Sequence, residues 1–193
     1  MGDRLKDKVA IVTGAGSEKG IGHAIAVGFA QEGAKVVVAG RTPESIKRVA
    51  QSIRLEGGEA LDIVMDTSNS ADVACMVEQT VKNFGRIDVL VNNAGIAQFC
   101  PILNVTEEMF DRHFAINVKG YFLCAQAVAK QMIYQRTGGK IINIGSVSAY
   151  SSGEGKVHYC ATKAAVHSLT QGLALELTRH GIYVNLSFNF TSK

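Results

Sequence analysis

Short apolar runs alternate with segments of helical periodicity along almost the whole chain, and that rhythm leaves few folds open. Residues 9–12, 36–39, 60–65, 87–91, 140–144 and 182–186 are largely apolar runs of strand length. A run that is apolar at every position, rather than at alternate ones, fits a strand covered on both faces. Between these runs, residues 21–32, 43–57, 70–84, 106–136 and 159–179 read as helices. Strands separated by helices predict βαβ units around a parallel sheet, an α/β fold with helices on both faces. With no repeat, low-complexity stretch or linker, the 193 residues are expected to form a single domain, residues 1–193.

The helix boundaries carry their own signals. Thr42-Pro43 is an N-cap followed by a first helical residue, and Asn69 or Ser70 caps a helix that Gly85 closes. Gly33 and Gly181 are further stops. Thr106-Glu107-Glu108 opens the longest helical region, with its acids at the positive end of the helix dipole. That region is expected to be irregular around Asn117 and to break at Gly138-Gly139, while residues 151–155 read as a flexible link.

Net charge is +3, from 20 basic and 17 acidic residues, with no block of either sign, so no nucleic-acid footprint is visible. Residues 1–8 contain no apolar leader, and no stretch reaches bilayer-spanning length. The expectation is a cytoplasmic protein without a membrane anchor. Cys75, Cys100, Cys124 and Cys160 are scattered and read as buried reduced thiols. His23, His113, His167 and His180 have no partner at ligand spacing, so no metal site is expected. His158 is expected at the surface or lining a substrate pocket.

Tyr159 and Lys163 stand four residues apart where a helix begins, which puts phenol and ammonium on one face. A neighbouring cation favours the phenolate and brings a tyrosine towards the working range of a proton donor and acceptor. Taken alone, the same pair at helical spacing is equally a solvated face. Ser146 follows the apolar run 140–144 and should sit just past the carboxyl end of a strand, where open α/β sheets hold their ligands. Thr13-Gly14 through Gly20-Ile21-Gly22 joins the first strand to the first helix, where small residues and a helix amino terminus admit a pyrophosphate.

Thr13-Gly14, Gly20-Ile21-Gly22, Asn92-Asn93-Ala94-Gly95, Asn117, Ser146, Tyr159 and Lys163 occur in the order found in the short-chain dehydrogenase/reductase family. The chain resembles that family from about residue 8 to residue 185, and most of all its 3-oxoacyl reductase-like branch. The resemblance implies a Rossmann-like doubly wound sheet and an oxidoreductase that exchanges a hydride between a nicotinamide cofactor and a carbonyl or secondary alcohol substrate. It implies Tyr159 as general acid and base, Ser146 orienting the substrate oxygen, and Lys163 holding the nicotinamide ribose while keeping the phenol acidic. Asn117 is implied to anchor a water that joins the lysine to solvent; its alternative role is a hydrogen bond at a helix kink.

For the cofactor, the resemblance implies contacts from Gly14, Gly16, Ser17, Lys19, Gly20, Ile21, Gly22, Asn92, Ala94 and Gly95, with Asp66 near the adenine. Asp66 is equally an acidic turn residue. The glycine loop is two residues longer than the family pattern. Gly40-Arg41 stands at the end of the second strand, where an acid would select NAD, and Lys19, just before Gly20, adds a second cation as in members of the family that prefer NADP. Together they favour NADP, though both cations also read as plain surface charges. The family commonly pairs through its two long helices, so a homodimer is expected. After Asn185, the sequence to Lys193 departs from the family pattern, which reads as a form shortened at its carboxyl end, lacking the last helix and strand. That reading exposes an apolar edge of the sixth strand and admits an alternative, a catalytically impaired chain that binds cofactor or dimerises with partners.

Overall fold

The computed structural model describes residues 2–188. Six parallel strands, β1 (Val9–Thr13), β2 (Lys35–Gly40), β3 (Glu59–Val64), β4 (Val89–Asn92), β5 (Gly139–Ile144) and β6 (Ile182–Ser187), form one sheet in the order β3-β2-β1-β4-β5-β6. The helices are α1 (Ile21–Gln31), α2 (Pro43–Leu55), α3 (Ser70–Phe84), α4 (Glu107–Phe114), α5 (Gly120–Tyr134) and α6 (Val157–Leu177). This is the Rossmann-like arrangement expected, and its strand order reverses between β1 and β4.

The continuous apolar runs serve two cores at once, because successive strand residues face opposite sides. Ile11, Val37, Leu90 and Ile141 pack with Val73 and Met76 of α3, Cys124 and Val128 of α5, and Leu173 of α6. Their neighbours Ala10, Val12, Val36, Val38, Val89 and Val91 pack on the other side with Ala26 and Ala30 of α1 and Ile46, Val49 and Ile53 of α2. Each side removes a layer of apolar surface from water, which is the main force holding the helices to the sheet.

Capping follows the sequence closely at α3. The Asn69 side chain accepts from Ala71 N at 2.9 Å, and Gly85 ends the helix at φ 79°. The Thr106 hydroxyl likewise accepts from Met109 N at 3.2 Å to start α4. Between α4 and α5 one turn, Ala115–Lys119, is π-helical, so the irregularity expected at Asn117 is a bulge of one extra residue.

Several boundaries differ from expectation. The fourth run was expected as strand from residue 87, but β4 starts at Val89 because the Gln135 side chain takes both the N–H and the carbonyl of Ile87. The last helix starts two residues earlier than Tyr159, and its final turn, Thr178–His180, tightens to a 3-10 helix. Cys75 was expected buried but lies exposed on the outer face of α3, and Cys100 is half-buried; Cys124 and Cys160 are buried, and burial pushes the Cys124 thiol up to about 12. Among the described residues β6 pairs with β5 alone. The expectations for residues 189–193 lie outside the described residues, and no helix among those described is long and apolar enough to cross a membrane.

Candidate active site

Every strand except β6 delivers its carboxyl end to one trough. On the β1–β3 side a cavity of about 100 Å³ is lined by Gly14, Gly40, Arg41, Asp66, Ala94 and Gly95, among others. On the β4–β5 side a cavity of about 340 Å³ is lined by Ile21, Asn93, Gly95, Ser146, Tyr159 and Lys163, together with Phe99 and Lys156. Gly95 and Ile96 line both.

The floor of the trough is a weld between the loops that follow β1 and β4. The Thr13 hydroxyl accepts from Asn93 N at 3.0 Å and Ala94 N at 3.1 Å and donates to Val91 O at 3.3 Å. The Asn93 amide donates back to Thr13 O at 3.0 Å and Gly14 O at 3.1 Å. Gly14 has φ 66°, and a Cβ on it would stand 2.7 Å from Ala94 Cα, inside contact distance. Gly14→Ala is therefore expected to cost about 3 kcal/mol of stability. Urea unfolding checks this, and a loss below about 1 kcal/mol would mean that the two loops can part.

Around this weld the other predicted contacts divide. Gly20 caps α1 without a side-chain hydrogen bond, which leaves the first N–H groups of that helix for a ligand. Gly22 keeps α1 against the weld, since a Cβ there would collide with Asn93 Nδ2 and Gly14 O. Gly16 packs on Ser45 and Ile46, while Ser17, Glu18 and Lys19 are exposed and line neither cavity. Glu18 pairs with Arg48 at 3.1 Å. Asp66 accepts from Ser68 N and Ser68 Oγ at 2.9 and 2.7 Å. Burial alone would raise its pKa, but those bonds and the charges of Arg41 and Arg112 outweigh it and hold the carboxylate below its usual range.

Asn92, expected at the cofactor, has its side chain in the sheet core instead. Its amide donates to Asn143 Oδ1 at 2.9 Å and Tyr121 O at 3.2 Å, and Asn143 in turn donates to Thr170 Oγ1 at 2.9 Å. The strand alternation that turns Asn93 outward turns Asn92 inward.

In the larger cavity, Ser146 stands two residues past β5, its hydroxyl accepting from Ser148 N at 3.1 Å. Lys163 is 5% exposed, and its Nζ lies 5.9 Å from the Tyr159 ring centre and 5.4 Å from that of Tyr121. Its ammonium donates to Ile144 O at 2.8 Å, and the Tyr121 hydroxyl donates to the same carbonyl at 3.2 Å. Burial lowers the Lys163 pKa to about 8 and drives the Tyr121 phenol far up, so Tyr121 stays neutral. Tyr121 was missed from sequence; its one signal was a position four residues after Asn117, on the same helical face.

Asn117 sits behind the cavity wall. Its side chain takes the N–H of Ile96 at 2.8 Å, donates to Ile96 O at 2.9 Å, and donates to Thr162 Oγ1 at 3.1 Å. Thr162 passes the connection to Tyr159 O at 2.7 Å, which ties the first turn of α6 to the wall. The π-helical turn aims this amide across to α6, beyond a local bond at a kink. His158 is a further correction: expected at the surface or in the pocket, it is 1% exposed and packed edge-on against His113, which is also fully buried. No group of three or more His, Cys, Asp or Glu among the described residues stands close enough to hold a metal ion.

This arrangement, an open parallel sheet with a glycine cradle at its switch point and a serine, tyrosine and lysine around one cavity, defines a dinucleotide-binding α/β protein. The chain matches the short chain dehydrogenase family over residues 8–188, and it belongs to that family. It is 45% identical over 183 residues to a sorbitol dehydrogenase of Cereibacter sphaeroides, covering 94% of this chain and 69% of that protein. Among solved structures it is similar to a gluconate 5-dehydrogenase from Burkholderia cenocepacia J2315 in complex with NADP and tartrate, with TM-score 0.90 and 37% identity over 96% of this chain and 71% of that one. It is also similar to an NAD+-bound xylitol dehydrogenase, with TM-score 0.90 and 35% identity over 95% and 70% of the two chains.

Proposed function

We propose that this oxidoreductase transfers a hydride between NADP(H) and a small carbonyl compound or the matching secondary alcohol, with Tyr159 as general acid and base. The observation that carries this reading is the single cavity lined by Ser146, Tyr159 and Lys163 beside the amino terminus of α1. The trough fits a dinucleotide, because Gly14, Gly40 and Gly95 line it with backbone and no side chain, and the start of α1 has no side-chain cap. Gly14, Gly20, Ile21, Gly22, Ala94 and Gly95 would hold it, with Arg41 and Asp66 at its adenosine end. When bound, the nicotinamide supplies or accepts the hydride.

The chain's own residues do the rest. Tyr159 gives its proton to the carbonyl oxygen during reduction and takes it back during oxidation. Ser146 polarises and orients that oxygen. The Lys163 ammonium stands beside the Tyr159 ring and would bind the nicotinamide ribose, while Asn117 steadies the wall and the turn that carries Tyr159. Two ammonium groups and no carboxylate line the cavity, which suits an oxygen-rich substrate. The relatives named for sorbitol, xylitol and gluconate favour a polyhydroxylated alcohol over an oxoacyl thioester. Exposed Phe110, Phe122, Tyr134 and Leu175 on α4, α5 and α6 support a homodimer through those helices, and four free cysteines suit a reducing cytosol.

Steady-state oxidation of NADPH or NADH with a panel of ketoses, and the reverse with sugar alcohols, tests the reading. Turnover supports it, and cofactor binding without turnover supports the impaired alternative. Arg41 bears on the choice of cofactor, since it follows Gly40 at the end of β2 and lines the smaller cavity. Arg41→Ala is expected to weaken NADP binding by about tenfold or more and to leave NAD nearly unchanged. Titration of both cofactors checks this; an unaltered NADP/NAD ratio would sink the assignment.

A further inference from the structure

The wall of the larger cavity is a non-regular segment, residues 93–101, whose backbone belongs to no helix or strand and must find its partners elsewhere. Alternate residues are held from behind. Ile96 is bonded on both sides by Asn117, and Cys100 N donates to Gly155 O at 2.9 Å. Gln98, between them, is held by two histidines from different helices. Its N–H donates to His113 Nε2 at 3.2 Å, and its carbonyl accepts from His158 Nε2 at 2.7 Å. Ala97 and Phe99, the residues on either side of Gln98, line the cavity, and Phe99 meets the Tyr159 ring edge-on at 6.3 Å.

This geometry dictates the protonation of both rings. His113 Nε2 accepts an N–H and so carries no proton; its proton is on Nδ1, which donates to Met109 O at 2.7 Å. His158 carries its proton on Nε2, and its buried Nδ1 has no partner among the described residues. The rings meet edge to face at 4.3 Å. A second proton on His113 would set N–H against the N–H of Gln98 and a charge against His158.

We propose that His113 and His158 are positioning residues that act as a latch on Gln98, holding Ala97 and Phe99 at the substrate side of the cavity, and that the latch releases when His113 takes up a proton. This rests on reading that cavity as the substrate cleft. Burial first, then the neighbouring His158 and Arg112, keep the His113 pKa below its ordinary 6.5, against the opposing Met109 bond. The wall's only titratable side chain is Cys100, and no carboxylate acts on His113. Because the folded value is depressed, the unfolded chain takes the proton first as pH falls below 6.5. The latch is thus complete above that pH and is lost as pH drops through the lower folded value.

The test uses the full chain without cofactor, with His113→Gln, which keeps an acceptor but does not titrate, and His113→Phe, which keeps a ring without an acceptor. Hydrogen exchange of peptides covering residues 96–100, corrected for the intrinsic pH dependence, is the first readout. In the wild type it should rise by about tenfold or more as pH is lowered stepwise from 7.5 to the onset of acid unfolding, in His113→Phe it should be high throughout, and in His113→Gln it should stay flat. A KM raised by about tenfold in His113→Phe at pH 7.5, with kcat within about twofold, is the second. Wild-type exchange that does not respond to pH, or a His113→Phe wall as protected as wild type, would overturn the latch. If His113→Phe fails to fold, the wild-type and His113→Gln exchange profiles decide. Absence of turnover with every substrate would count against the enzymatic reading, while the exchange readout would still decide the latch.

Discussion

Lys163→Met is expected to make the protein more stable and nearly inactive. The Lys163 ammonium is buried beside two aromatic rings, with the carbonyl of Ile144 as its hydrogen-bond partner and, among the described residues, no carboxylate in an ion pair with it. Burial lowers its pKa from 10.5 to about 8, a cost to the charged form of about 3 kcal/mol. At pH 7 the group is charged in both the folded and the unfolded chain, so the fold bears that cost. Methionine fills a similar volume without a charge, and a gain of about 1–3 kcal/mol follows.

The pH dependence gives an independent check. Between about 8 and 10.5 the unfolded chain holds the proton more tightly than the folded one, so wild-type stability should rise with pH across that window. The methionine variant should lack this rise. Urea unfolding at pH 7 and pH 9.5 measures both effects, and a destabilised variant, or one with the wild-type pH response, would contradict the account. Turnover should fall by about a hundredfold or more, because the cation beside the Tyr159 ring, which would also hold the nicotinamide ribose, is gone.

Tyr159→Phe is expected to reduce turnover by about a thousandfold while leaving the cofactor affinity within about twofold. The phenol lines the cavity and its hydroxyl has no hydrogen-bond partner among the described residues. Phenylalanine therefore removes the proton donor without stranding a buried group. The edge contact with Phe99 and the backbone bond from Thr162 to Tyr159 O remain available, so stability should change by less than about 1 kcal/mol. Steady-state kinetics, with cofactor titration on the same preparation, separates the chemical loss from a binding loss. Turnover near the wild-type rate would remove Tyr159 from the chemistry.

Both substitutions act at residues whose spacing was visible in the sequence, but only one of the two effects was. The four-residue interval between Tyr159 and Lys163 predicted a shared face, and the cavity they both line agrees with it. That the ammonium is itself strained by burial depended on Tyr121 and Ile144, which come from other elements. Asn117 was legible as an irregularity because a polar residue interrupts an apolar helical pattern. Its partners, Ile96 and Thr162, lie 21 and 45 residues away and left no local sign.

The periodicity of apolar residues, with glycine, proline and capping side chains as punctuation, determined the order of the elements, a parallel sheet covered on both faces and the strand ends where the trough opens. Those are consequences of local geometry, since side-chain period and turn chemistry are properties of neighbouring residues. The direction of Asn92, the exposure of Cys75 and the meeting of His113 with His158 were decided only when distant segments packed. Each depends on which backbone and side-chain groups remain without water after burial and must be satisfied by whatever the fold brings within reach, a condition set by three-dimensional proximity and by nothing in the order of the chain.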